Sequence, residues 1–287
     1  MSSIFTFATG ASTLANKDDL IKFENRETLA FGHAFRFFID HMKWYPTYWT
    51  FVDAHSTLHS LQYLVNKKIK VRTKLLLLGD VTHKSLKLFR KHGFGKPQKS
   101  AGWDFTKDGY KKYLKLLEQA SKYITIQNIP TTSYVEKYGS NIDDYSKRCQ
   151  QLLQDKSRVG LMHVSGLKIY DKLHVAVLPL CFYLKHKDIY MIGFDGRKGR
   201  FLDGGKVLKK KRQNDNPLVR SYNFTAPLWK KWAKEMGRNL YSMGTREHTV
   251  LAEHFPYVSP NDAYERSTPF LSKENLKKII NGSQDSN

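Results

Sequence analysis

Lys187-Asp188-Ile189-Tyr190-Met191-Ile192-Gly193-Phe194-Asp195 is the stretch on which the fold turns. A short run of β-branched and aromatic residues ends in a glycine turn, and a carboxylate follows at once. Its residues are apolar toward both faces, which suits a strand covered on both sides, as in a parallel sheet. Directly upstream, Lys172 to Leu184 is apolar at almost every position. That predicts a helix buried on the same sheet in spite of Pro179.

Working outward, runs of strand length recur between helical patterns. Ile4–Ala8, Thr28–Phe31, Tyr48–Val52, Lys74–Leu78, Tyr123–Ile126 and Asn239–Tyr241 read as further strands. Ala34–Met42, Ser56–Val65, Gly109–Lys122, Ile142–Gln154 and Ala226–Met236 read as helices. Such alternation predicts an α/β fold, a Rossmann-like and mostly parallel sheet flanked by helices. One catalytic domain over 1–260 is expected, with an irregular helical insertion at about 80–120 and a mobile basic lid at about 196–224. Residues 261–287 read as a peripheral tail.

Composition narrows the setting. Hydrophobic residues make up 40% and aromatics 13%, which excludes a disordered chain. The two cysteines, Cys149 and Cys181, lie in apolar or helical surroundings, so a reducing, cytoplasmic compartment is expected rather than a disulfide scaffold. The opening MSSIFTFATGAST lacks the basic and apolar regions of a signal peptide, and Val175–Leu184 is too short to span a bilayer. Lys plus Arg outnumber Asp plus Glu by 48 to 26, a net +22. The cations cluster in 67–72, 84–99 and 197–212, which points to a polyanionic partner.

In an open parallel sheet, ligands meet the carboxyl ends of the strands. Three such ends carry candidate chemistry. Thr9-Gly10-Ala11-Ser12 is a small-residue turn whose amides and hydroxyls suit a phosphate, although it is neither a dinucleotide fingerprint nor a P-loop. Asp53 and His55 leave an aromatic strand, where they suit a ribose, a nucleobase or a proton-transfer role; the alternatives are a divalent metal held in a D-x-H arrangement, which the absence of any D-x-D disfavours, and an Asp53 that merely caps a helix. Gly193 and Asp195 close the strand quoted above, and Asp195 suits ribose hydroxyls. Behind it come Arg197, Lys198 and Arg200, then Lys209, Lys210, Lys211 and Arg212, and later Arg220, cations for phosphates of a donor or a nucleic acid. The histidines show no metal-ligand spacing. His33, His55, His163, His174, His248 and His254 stand near strand ends or polar residues, and His174 is the candidate acid, base or phosphate contact.

At these strand ends the chain resembles bacterial family-42 sialyltransferases and the related MptE-like proteins. Lys187–Asp195 is similar to their K-E-I-Y-L-S-G-I-D strand, and Ala8–Leu14 stands where they carry a G-P-S-type turn, with Ala11 in place of proline. Gly32-His33 and Asp53 occupy the places of their nucleotide-touching asparagines, and Lys172-Leu173-His174 those of a Thr-Ser-Gly. The resemblance covers about 4–60 and 165–245. It implies a variant GT-A glycosyltransferase fold, a nucleotide-sugar donor and catalysis without an obligatory metal. The chain departs from the family in two ways. Arg220-Ser221-Tyr222-Asn223 lacks the family's catalytic histidine, and basic residues replace its paired tyrosines after Asp195.

The expected function is transfer from a UDP-, GDP- or CMP-linked sugar to a polyanionic acceptor. DNA bearing hydroxymethylated bases, as some viruses carry, is the sharp version, and it requires an exposed or flipped base. An acidic cell-surface glycan is the milder one. The rival reading is a nucleic-acid-binding α/β protein without catalysis. A pterin-type pyrophosphokinase falls away for want of an acidic metal cluster. Asp53, His55 and His174 are the expected catalytic groups. Thr9, Gly10, Ala11, Ser12, Gly32, His33, Asp53, Lys172, Gly193, Asp195 and Arg197 are the expected donor contacts. Trp44, Trp103, Trp229 and Trp232 are candidate stacking surfaces, most of them expected in the core.

Overall fold

A computed structural model describes residues 2–42, 44–51, 54–78, 107–136, 142–164, 173–196 and 217–269. Its centre is a parallel sheet of seven strands: β1 (Ser3–Phe7), β2 (Thr28–Phe31), β3 (Tyr48–Phe51), β4 (Lys74–Leu78), β5 (Thr125–Ile129), β8 (Asp188–Ile192) and β9 (Asn239–Ser242). The order across the sheet is β5-β4-β3-β2-β1-β8-β9. A separate parallel pair is formed by β6 (Thr131–Glu136) and β7 (Val159–Val164).

Alternation along each strand feeds two cores. Ile4, Leu29, Phe31, Leu76, Leu78, Ile189, Met191 and Leu240 face one side, together with Cys181, Trp229 and Trp232. Phe5, Phe7, Ala30, Trp49, Phe51, Leu75, Leu77, Tyr190 and Ile192 face the other. Burial on both faces is why these strands read as continuous apolar runs. The second core is aromatic. Phe35 stacks on Trp49 at 4.3 Å, and the Trp49 indole donates to the Gly32 carbonyl at 2.9 Å, which fixes the end of β2.

Helices cover both faces. α1 (Ala11–Ala15), α2 (Lys17–Leu20), α3 (Ala34–His41) and α4 (Ala54–Lys67) belong to the first half of the chain. α5 (Lys107–Ala120) packs along α4, so the later part of the supposed insertion is a regular crossover into β5. α6 (Ile142–Gln154) packs on β7. The helix expected over Lys172–Leu184 divides at its proline: Leu173–Val177 is a π-turn, and α7 (Leu178–Tyr183) carries Pro179 in its first turn, where no amide hydrogen is needed.

Three readings are corrected. β5 begins at Thr125, because Tyr123 and Ile124 still donate to Ala120 in the last turn of α5. α8 runs over Pro217–Glu235, far longer than Ala226–Met236 and through Pro227. Val219, Tyr222, Ala226, Trp229 and Ala233 make a buried stripe at helical spacing that outweighs the missing amide. The described end of the lid read at 196–224 is therefore helix. Residue 260 is no boundary either: α10 (Pro260–Arg266) docks through buried Ala263, and Arg26 lies 4.0 Å from the Tyr264 ring while donating to Ser267 Oγ at 2.7 Å. Trp44, Trp229 and Trp232 are buried, the core placement expected for most of these tryptophans. Trp103 lies outside the described residues.

Both cysteines are fully buried, and burial pushes the Cys181 thiol well above its ordinary value. A thiol reagent is expected to leave the native chain unmodified and to label both cysteines in denaturant. Rapid labelling in native buffer, followed spectrophotometrically, would contradict this packing.

Candidate functional site

Where strand order reverses in an open sheet, loops leave adjacent strands in opposite directions and a crevice opens between them. Here that point lies between β1 and β8. The chain passes from β1 to β2 on one side and from β8 to β9 on the other. The turns after β1 and β8 meet at this crevice.

Their meeting is tightly bonded. Ser12, fully buried, donates its amide to Asp195 Oδ2 and its hydroxyl to Asp195 Oδ1, each at 2.6 Å. The same hydroxyl accepts from the Gly193 amide at 3.0 Å. Gly10 donates to the Gly193 carbonyl at 2.7 Å, and Thr13 Oγ1 to the Ala8 carbonyl at 2.9 Å. Asp195 is 7% exposed and completes the N-terminal turn of α1, which the Gly10 cap leaves without a side-chain acceptor.

This changes the role read for the small-residue turn. The Ser12 amide meets the chain's own carboxylate rather than a phosphate, and the Gly10 and Thr13 amides are taken by the Gly193 and Gly10 carbonyls. An anion brought to Ser12 would face the negative charge of Asp195.

A third strand end joins the two that sequence reasoning singles out. After β9, a Cβ placed on Gly244 would lie 3.6 Å from Ser12 Oγ and 3.8 Å from Asp195 Oδ1. Thr249 donates to the Phe194 carbonyl at 2.9 Å and ties that loop down. Sequence reasoning misses Gly244 and Thr249 because they follow a short edge strand with no distinctive motif. On the other flank, Gly32 and His33 stand at the end of β2. Thr9, Gly10, Ala11, Ser12, Gly32, His33, Gly193 and Asp195 thus gather on one edge of the sheet.

The remaining candidates divide. His55 sits in the first turn of α4, its side chain outside the described atoms. Asp53, Lys172, Arg197, Lys198, Arg200, Lys209, Lys210, Lys211 and Arg212 lie outside the described residues. The ends flanking 197–216 are adjacent, with Gly196 packed on the Val219 side chain. Arg220 is exposed in the first turn of α8.

His174 is placed differently from its reading as an open acid or base. It is 3% exposed and packs beside the Tyr222 and Trp229 rings, at 5.7 and 6.0 Å. Its Nδ1 lies 2.8 Å from Thr225 Oγ1, whose single proton goes to the Ser221 carbonyl, so the imidazole donates from Nδ1. His254, in α9 (Leu251–His254), faces the same helix, with Nε2 3.1 Å from Asn223 Oδ1. Burial lowers its pKa; Glu253 opposes that, while Lys230 and His174 add to it. Burial thus favours the neutral form of His254. The two histidines flank the α8 segment that contains none of its own.

Among the described residues no three His, Cys, Asp or Glu side chains gather as metal ligands, and no helix is long and apolar enough to cross a membrane. Comparison with protein-family profiles, with curated proteins and with solved structures found no match to this chain.

Proposed function

We propose that this chain is a nucleotide-sugar-dependent glycosyltransferase of variant GT-A type that modifies a polyanionic acceptor. The observation that carries the reading is the crevice at the β1/β8 switch point, with Ser12 and Asp195 locked together at its floor. The donor nucleotide lies across the ends of β2, β1, β8 and β9, its ribose toward Asp195 and the Gly244 loop. Its phosphates turn away from Asp195 toward the cations that the sequence places after it, beginning with Arg197 and Lys198. Asp53, His55 and His254 are the candidate bases for the acceptor hydroxyl, and His174 holds α8 through Thr225. A UDP-, GDP- or CMP-linked sugar suits this arrangement without a metal ion. Hydroxymethylated DNA or an acidic glycan suits the net +22 as acceptor.

The test is a thermal-shift panel of UDP, GDP, CMP and ATP with and without manganese, beside DNA binding titrated with salt. One sugar nucleotide is expected to raise the melting temperature, which would name the donor class. Salt-dependent DNA binding with no shift from any nucleotide would overturn the transferase. It would favour a non-catalytic nucleic-acid-binding protein, the second reading that the same charge supports.

A further inference from the structure

At the opposite end of β8 and β9 from Asp195 lies a cleft of about 500 Å³ between α8 and the outer edge of β9. Lys187, Lys230, Lys234 and Arg238 line it, with Asn239 and Tyr241. Lys187 precedes β8, Arg238 precedes β9, and Lys230 and Lys234 stand one helical turn apart on α8. Two stretches distant in sequence, Lys187 and 230–238, therefore bring positive charge to one space.

No Asp or Glu is among the described residues lining it. Asp188, beside it, accepts from Asn239 at 2.7 Å, and Glu235 accepts from Gln150 across on α6. Arg238 is anchored, donating to the His186 carbonyl with its guanidinium 5.8 Å from the Phe182 ring. Burial lowers its pKa, yet an arginine remains a cation at neutral pH. Cations grouped around one cleft raise its positive potential, which attracts a polyanion.

We infer that this cleft binds the phosphodiester backbone of a single-stranded nucleic acid. Its apolar floor, Ala233, Leu240 and Phe255, is buried and has nothing to insert among lipid chains. One strand fits the volume, whereas a duplex does not enter a space of this size. Tyr257 supplies the second element of single-strand recognition. It is 49% exposed and directly follows Pro256 of the cleft wall in the chain, which puts an exposed aromatic residue one position beyond that wall. The site bears on the acceptor side of the transferase reading without resting on it.

The test uses the full chain and a labelled oligothymidine of about twenty nucleotides, followed by anisotropy over a salt series. Replacing Lys187→Gln, Lys230→Gln and Lys234→Gln together is expected to weaken binding at least about tenfold. It should also lower the slope of log affinity against log salt by about 2, because each phosphate that a lysine no longer neutralises is worth roughly 0.7. Lys112→Gln, Lys115→Gln and Lys122→Gln, on and just after α5, remove the same charge elsewhere and should cost much less. Equal losses in the two triple variants, or none in the first, would overturn the assignment. So would binding to heparin, or to vesicles with a third phosphatidylserine, that needs the cleft lysines when oligothymidine binding does not. Stabilisation by nucleotides is measured on the same variants. Its absence in the parent chain, with oligothymidine binding intact, would count against the crevice reading and leave the cleft standing.

Discussion

Asp195→Ala is expected to lower the unfolding free energy by about 3–5 kcal/mol, since it removes two charge-assisted hydrogen bonds. In a chain of this size that corresponds to roughly 10 °C in melting temperature. The Ser12 amide and hydroxyl both end on this carboxylate at 2.6 Å, and Ser12 is fully buried, so neither donor finds bulk water when the acceptor is gone. Asp195→Asn keeps one acceptor oxygen but turns an amide toward a donor, and should fall between alanine and the parent. Urea melts of Asp195→Ala, Ser12→Ala and the double variant form a cycle. Coupling of roughly 1–2 kcal/mol is expected between residues that share bonds. Strict additivity would mean that the two turns are not joined by this pair.

Gly193→Ala should be more damaging still, costing about 4 kcal/mol or more and lowering soluble yield. Gly193 has φ +79°, where a side chain is strained, and a Cβ there would come within 2.7 Å of the Ala8 carbonyl carbon and nearer still to its oxygen and Thr13 Oγ1. Ala8 is held by β1 and cannot retreat. Gly10→Ala meets the same obstacle from the other side: its Cβ would stand 2.5 Å from the Gly193 carbonyl oxygen and 2.6 Å from Asp195 Oδ2. Gly237→Ala is the control. It also has positive φ, +64°, but nothing lies within 4 Å of its Cβ, so it should cost only the backbone term of about 1–2 kcal/mol. A Gly193 variant no worse than the Gly237 variant would show that the ends of β1 and β8 do not pack this closely.

The positions of these strand ends are legible in the sequence, whereas the bonds between them are not. Thr28–Phe31, Lys74–Leu78 and Asp188–Ile192 are strands with the bounds read from pattern, because burial on two faces leaves a continuous apolar signal. β6 and β7 escape a reading by pattern because they form a two-stranded satellite off the main sheet, where the apolar signal is weaker. α8 reads short because Pro227 is locally a breaker, and only its buried stripe against β8 and β9 offsets that cost.

The chemistry divides in the same way. Glycine and a carboxylate after an apolar strand mark a strand end, and residue pattern alone assigns Gly10, Ser12, Gly193 and Asp195 to such ends. It also shows the surplus of cations. The three-dimensional arrangement of the strands is what joins Asp195 to Ser12, 183 residues away. It alone brought Lys187 beside Lys230 and Lys234, and His254 beside the α8 segment that holds His174. The reason is physical: periodicity along the chain encodes which face is buried, a local property. Which polar groups meet depends on the order of strands across the sheet, and no local run of residues carries that order.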